Sequence, residues 1–146
     1  MKSNGADNRS RRKINKGVTM KQFIVSLAIT LMLAGAAQAE IPSATDAAVR
    51  QSLSSGKPTV IDLGARSCIP CKKMAPILES LSAQYRGRAQ VLFIDVRENQ
   101  AAADKFRVQM IPTQIFFNAQ GKEVKRHVGF LDKPEIVKEL KSAGLK

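Results

Sequence analysis

Both cysteines of this chain fall in one short stretch, Ser67-Cys68-Ile69-Pro70-Cys71, and what flanks that stretch limits how it can fold. Before it runs Pro58-Thr-Val-Ile-Asp-Leu-Gly64, a β-branched apolar segment of strand length. After it, Met74, Ile77, Leu78, Leu81 and Tyr85 keep the i, i+3, i+4, i+7 spacing of an amphipathic helix that Gly87 ends. Strand, Cys-x-x-Cys and helix in this order place the sulfurs at a helix N-terminus. Unpaired backbone N–H groups and the macrodipole favour negative charge there, so Cys68 is expected as a stabilised thiolate. Cysteines so placed can titrate at ~3.5–7.5 instead of ~8.5. Cys71 comes round beside Cys68, close enough to bridge it. Cys68 reads as the exposed attacking thiolate and Cys71 as the inner thiol that resolves a mixed disulfide, with Lys72 and Lys73 adding positive charge nearby. A static structural disulfide is the competing reading, but closing so short a loop contributes little stability.

The rest of the mature chain supplies further elements. Thr45 caps a short helix over Asp46 to Ser55, and Ala89 to Val96 reads as a second buried strand. Asn99 caps a helix through Phe106. Thr113–Asn118 and Glu123–Val128 flank the turn Ala119-Gln-Gly121 as a hairpin. Asp132-Lys-Pro-Glu135 opens a last helix to about Leu145. The order α-β-α-β-α-β-β-α predicts an α/β fold: a mixed sheet of four to five strands, parallel in its first unit and antiparallel in its hairpin, with helices on both faces.

Location changes the meaning of the net charge of +12. Residues 1–39 carry seven basic residues and one acid, Asp7, so half of the excess lies there. That segment reads as a secretory signal: basic residues, the apolar run Phe23–Ala34, and the small-x-small site Ala37-Gln-Ala39 with the cut after Ala39. Met20 is an alternative initiator that gives a leader of ordinary length. The apolar stretch falls short of the ~20 residues a membrane anchor needs, and no Cys follows it to accept lipid. Residues 40–146 are then expected as one exported, monomeric domain in the periplasm or outside the cell. Nucleic acid is not its expected partner, and an oxidising compartment lets its cysteines pair. Two cysteines and the single His127 cannot fill a four-ligand zinc site, so no structural metal of that kind is expected.

Val60 through Leu78 resembles the active-site strand and helix of thioredoxins, and Met110-Ile-Pro-Thr113 resembles their cis-proline loop. The likeness runs from about Lys57 to Leu140, with Gly121 and Gly129 where that family has turn glycines. It implies a thioredoxin-like fold and a redox-active Cys68–Cys71 disulfide, with no dissociable cofactor. It also implies roles residue by residue. Pro112 is the cis-proline, and Ile111 pairs its backbone with an extended substrate segment. Ile69, Pro70 and Thr113 border the same groove. Asp62 is the buried carboxylate that exchanges a proton with Cys71, and Pro76 kinks the active-site helix. Ser67 and Gly64 stand where the family has aromatic residues, and Ile69 where glycine is usual.

The expected activity is thiol-disulfide exchange on protein cysteines. A reductant fed by a membrane electron transporter of the cytochrome c biogenesis type is preferred, because no helical insertion separates the active-site helix from the cis-proline loop. A disulfide-forming oxidant is the alternative within the same chemistry. A metallochaperone holding Cu(I) between Cys68 and Cys71 is the alternative from another class, since soft thiolates suit that ion.

Overall fold

The computed structural model describes residues 40–146; the leader and its cleavage site lie outside the described residues. Helix α1 (Asp46–Leu53) is followed by β1 (Thr59–Gly64), α2 (Ile69–Gln84), β2 (Gln90–Asp95), α3 (Gln100–Lys105), the hairpin β3 (Thr113–Phe117) and β4 (Glu123–Val128), and α4 (Lys133–Ser142). This is the expected order. Three helices open on the caps read from the sequence: Thr45, Asn99 and Asp132 each accept a hydrogen bond from the backbone N–H three residues on.

The sheet has four strands in the order β2-β1-β3-β4. β1 runs parallel to β2 and antiparallel to β3, and β3 runs antiparallel to β4. Among the described residues a fifth strand does not form. Ser43 in the lead-in makes a single parallel bridge to Phe93 on the outer edge of β2, and the Ala44 N–H donates to the Phe93 carbonyl at 2.7 Å. Pro42 has no N–H to extend that ladder.

Alternation along the strands divides the core in two. Val60 and Phe116 face one side, where α2 and α4 cover them with Met74, Leu78, Leu81, Ile136 and Leu140. Ile61, Leu63, Ile115 and Phe117 face the other, against Val49 of α1 and Ala102 of α3. Helices therefore lie on both faces of the sheet.

The last helix ends three residues earlier than its sequence pattern suggests. Gly144 takes φ +110°, its N–H bonds to the Lys141 carbonyl, and the Leu145 N–H reaches back to the Leu140 carbonyl at 2.9 Å. This αL stop satisfies the terminal carbonyls and turns Leu145 into the core. The apolar spacing read as helix is thus partly the anchor of a C-cap.

Gly121 joins the two halves of the fold. It sits at φ +71° in the β3–β4 turn, and a Cβ there would lie 2.6 Å from the Leu53 carbonyl oxygen at the end of α1. Gly121→Ala therefore meets both an unfavourable backbone region and a backbone clash. A loss of about 1–3 kcal/mol is expected in urea unfolding, with thiol-disulfide exchange by the folded protein retained. An unchanged unfolding midpoint would show that the turn does not bear on α1.

Candidate active site

Cys68 is the N-cap of α2. Its backbone is extended, and its Sγ accepts from the Cys71 N–H at 3.4 Å. Pro70 sits in the first turn, where its missing N–H leaves no gap in the helix. The two cysteines form a disulfide with Cα atoms 5.2 Å apart. Their surroundings differ: Cys68 is half-buried, whereas Cys71 is 5% exposed. Attack from solvent can reach only one of the two sulfurs readily.

Gly64 explains how Cys71 fits against the sheet. A Cβ on Gly64 would lie 3.2 Å from Cys71 Sγ and 3.3 Å from the Phe93 ring. The inner sulfur packs closely against a position that carries no side chain. In the sequence this glycine was visible only as a missing aromatic residue.

Two residues back on the same face of β1 lies Asp62, fully buried. It stands directly opposite Gln114 of β3, whose Nε2 donates to Asp62 Oδ1 at 2.7 Å. Asp62 Oδ2 and Gln114 Oε1 are buried without a partner. Burial pushes the Asp62 carboxyl up to about 6, against the opposing pull of the Gln114 hydrogen bond. Reading the sequence missed Gln114. The signal was a polar side chain in the alternation Thr113-Gln-Ile-Phe-Phe117, on the same face as Phe116 and so toward the core.

The Ile111–Pro112 peptide is cis. Thr113 starts β3 opposite Leu63 near the C-terminal end of β1, so residues 110–112 lie at the end of the sheet from which the chain enters the cysteine motif. The loop is tied at both ends: Thr113 Oγ1 donates to the Met110 carbonyl at 2.6 Å, and the Gly129 N–H to the Pro112 carbonyl at 2.8 Å. Pro112 and Thr113 are buried and Ile111 is half-buried. Ile69, Met110 and Phe130 expose large apolar surfaces, at 72%, 64% and 46%. Pro70 is also exposed, Met74 is fully buried, and His127 is half-buried on β4.

Arg66, between β1 and the cysteines, was not singled out in the sequence either. Its guanidinium lies 5.2 Å from the centre of the Phe93 ring, pairs with Glu40 and donates to the Ile41 carbonyl. Its N–H donates to Asp95 Oδ2 at 3.0 Å, while the Arg97 N–H donates to Oδ1 at 2.9 Å. Burial works against the Asp95 carboxylate, but these N–H groups and the Arg66 charge outweigh it and hold Asp95 below the ordinary carboxylate range.

Comparison with known proteins agrees with this geometry. The family profile described as Thioredoxin matches residues 40–142. A thioredoxin of Staphylococcus aureus strain Mu50 is 41% identical over 100 residues, covering 68% of this chain and 94% of the relative. Among solved structures, a mutant thioredoxin from Halobacterium salinarum NRC-1 superposes with TM-score 0.63 at 28% identity, over 73% of this chain and 91% of its own. Chloroplastic thioredoxin z gives TM-score 0.62 at 25% identity, over 72% and 95%.

The raised Asp62 pKa has a consequence for stability. Below about pH 4 the carboxyl is protonated in both the folded and unfolded chain. Between there and about 6 the folded protein keeps a proton that the unfolded chain gives up, so stability falls as pH rises through this window. Asp62→Asn abolishes that loss. At pH 7 the variant is expected to be more stable by on the order of 3 kcal/mol, since each tenfold change in ionisation is worth about 1.4 kcal/mol, with the gain closing toward pH 4. Denaturant unfolding of the oxidised protein at both pH values checks this; an equal gain at both would remove ionisation as the cause.

Proposed function

The chain belongs to the thioredoxin family and is a thiol-disulfide oxidoreductase; on that footing we propose that it acts as an exported reductant of protein disulfides, fed by a membrane electron transporter. The observation that carries the proposal is the unequal placing of the two sulfurs, one half-buried at the cap of α2 and the other buried against Gly64. In the reduced protein the Cys68 thiolate attacks a substrate disulfide, forms a Cys68–substrate bond and expels one substrate thiolate. The Cys71 thiol then gives its proton to the Asp62 carboxylate and attacks Cys68 Sγ. The second substrate thiolate leaves, and the Cys68–Cys71 disulfide forms. The substrate has gained two electrons and the pair has lost two, so no dissociable cofactor enters. A dithiol of the transporter restores the pair by the same exchange in reverse.

Among the described residues the N–H and C=O of Ile111 make no internal backbone hydrogen bond. Both remain available to an extended substrate segment, held between the exposed Ile69 and Pro70 on one side and the loop anchored by Pro112 and Thr113 on the other. Only β2 and the six-residue α3 lie between α2 and that loop, so no helical insertion broadens the site toward unfolded clients. This supports the reductant over the oxidant. Export is supported by the basic and apolar leader and its Ala37-Gln-Ala39 site.

In the reduced protein Cys68 is expected to be alkylated at pH 7 at least tenfold faster than Cys71, because it alone combines access with a helix N-terminus. Peptide mapping after timed labelling measures both rates, and equal rates would sink the assignment. Cys71→Ser keeps the attack but removes the resolving sulfur, so mixed disulfides through Cys68 should accumulate on the exported protein. They should collapse on adding reductant and be far fewer with Cys68→Ser. A multi-span membrane protein and thiol-bearing assembly proteins among the trapped species would support the reductant. A broad set of folding secreted proteins would support the oxidant instead.

A further inference from the structure

We propose that Gln114 is a positioning residue for the resolving step, its side-chain amide fixing the Asp62 carboxylate on the face of β1 beneath Cys71. The inference rests on the reading of Asp62 as the acceptor of the Cys71 proton. Asp62 and Gln114 are cross-strand partners, both wholly buried, joined by a 2.7 Å hydrogen bond. Along β3, Gln114 lies between Thr113 and Ile115, with Phe116 next on its own face, all buried. Packing alone has no use for an amide there. A buried amide also costs stability wherever its groups are unpaired, and Gln114 Oε1 is unpaired. What the amide supplies is a single N–H donor aimed at one carboxylate oxygen, leaving Oδ2 open to receive a proton.

The groups facing this pair leave Gln114 as its organiser. On β2, Phe93 stands opposite Asp62 and offers no donor, and the next residue on that face, Asp95, is held by the Arg66 and Arg97 N–H groups. From α2 comes Cys71, and α4 covers the same face with Ile136 and Leu140. On β4, His127 stands opposite Gln114, with Nε2 3.3 Å from the Phe130 carbonyl, and Lys125 stands opposite Phe116 at the surface. A hydrogen bond to a carboxylate favours its charged form. Gln114 therefore keeps the acceptor ionised at a lower pH than burial alone would allow.

The test is a two-release experiment on the reduced full chain mixed with dithiobis(nitrobenzoate) in a stopped-flow instrument between pH 4.5 and 8. The first coloured thiolate reports attack by Cys68, and the second reports resolution by Cys71. In the unaltered protein the second release should quicken through the ionisation of Asp62, near pH 6. Gln114→Leu should move that inflection up by about one pH unit, the scale of a lost hydrogen bond to a charged group. The second release is then about fivefold slower at pH 6 and nearly unchanged at pH 8, with the first release unaffected. In the Asp62→Asn background Gln114→Leu should add nothing. An unmoved inflection in Gln114→Leu, with Asp62→Asn abolishing it, overturns the role of Gln114 and leaves that of Asp62 intact. A uniform slowing by Gln114→Leu that persists in Asp62→Asn makes the residue merely structural and overturns the proposal. If Asp62→Asn itself keeps the profile of the unaltered protein, the reading of Asp62 fails and this inference falls with it.

Discussion

The close approach of Cys71 to Gly64 is the constraint on which the rest of the site depends. A notional Cβ on Gly64 would lie 3.2 Å from the sulfur, so a side chain there would require Cys71 to give by a few tenths of an ångström. Once the inner sulfur lies against the sheet, Cys68 is left outside it as the cap of α2. The chemical inequality of two identical side chains therefore originates in their places on α2, one at the N-cap and the other turned toward the sheet. The close approach also fixes which face of β1 lies beneath the active site, and hence that Asp62, two residues before Gly64, faces the α2 side of the sheet.

That placement opposes stability. A carboxylate and an amide occupy the centre of a layer otherwise built of Val60, Met74, Leu78 and Phe116, and one oxygen of each has no partner. Two apolar residues of similar volume would fill the same space without unpaired polar atoms. The cost is tolerable because the two sides of the sheet carry separate apolar clusters. Among the described residues, the layer on the α1 and α3 side has no comparable buried charge.

Much of this was legible in the sequence, for reasons that differ from element to element. The strand before the cysteines, the apolar spacing from Met74 to Tyr85 and the caps at Thr45, Asn99 and Asp132 are local signals, and local hydrogen bonds fulfil them. The cysteine pair was legible because its spacing and setting belong to one helix turn. Gln114 was not, since its meaning comes from a residue 52 positions away that only the β1–β3 register brings opposite. Arg66 escaped for the same reason: its partners Glu40, Ile41 and Asp95 come from the lead-in and from β2. The end of α4 was misplaced because Leu145 continues an apolar pattern whose backbone has already turned at Gly144.

Two opposing electrostatic effects bear on the redox balance of the disulfide. Reduction creates a thiolate at Cys68, which the N-terminus of α2 stabilises through the Cys71 N–H. Whatever stabilises the reduced form makes the pair a stronger oxidant. The Asp62 carboxylate acts in the other sense. It is negative when ionised and lies in an apolar layer that screens it poorly, so it raises the cost of a second negative charge at the cysteines. Around neutral pH, where Asp62 is largely ionised, the second effect weakens the hold of the pair on its electrons. Each ~30 mV of shift changes the exchange equilibrium tenfold. The proposed reductant draws on the same feature that costs the fold stability, a carboxylate buried on the face of β1 that also carries Gly64.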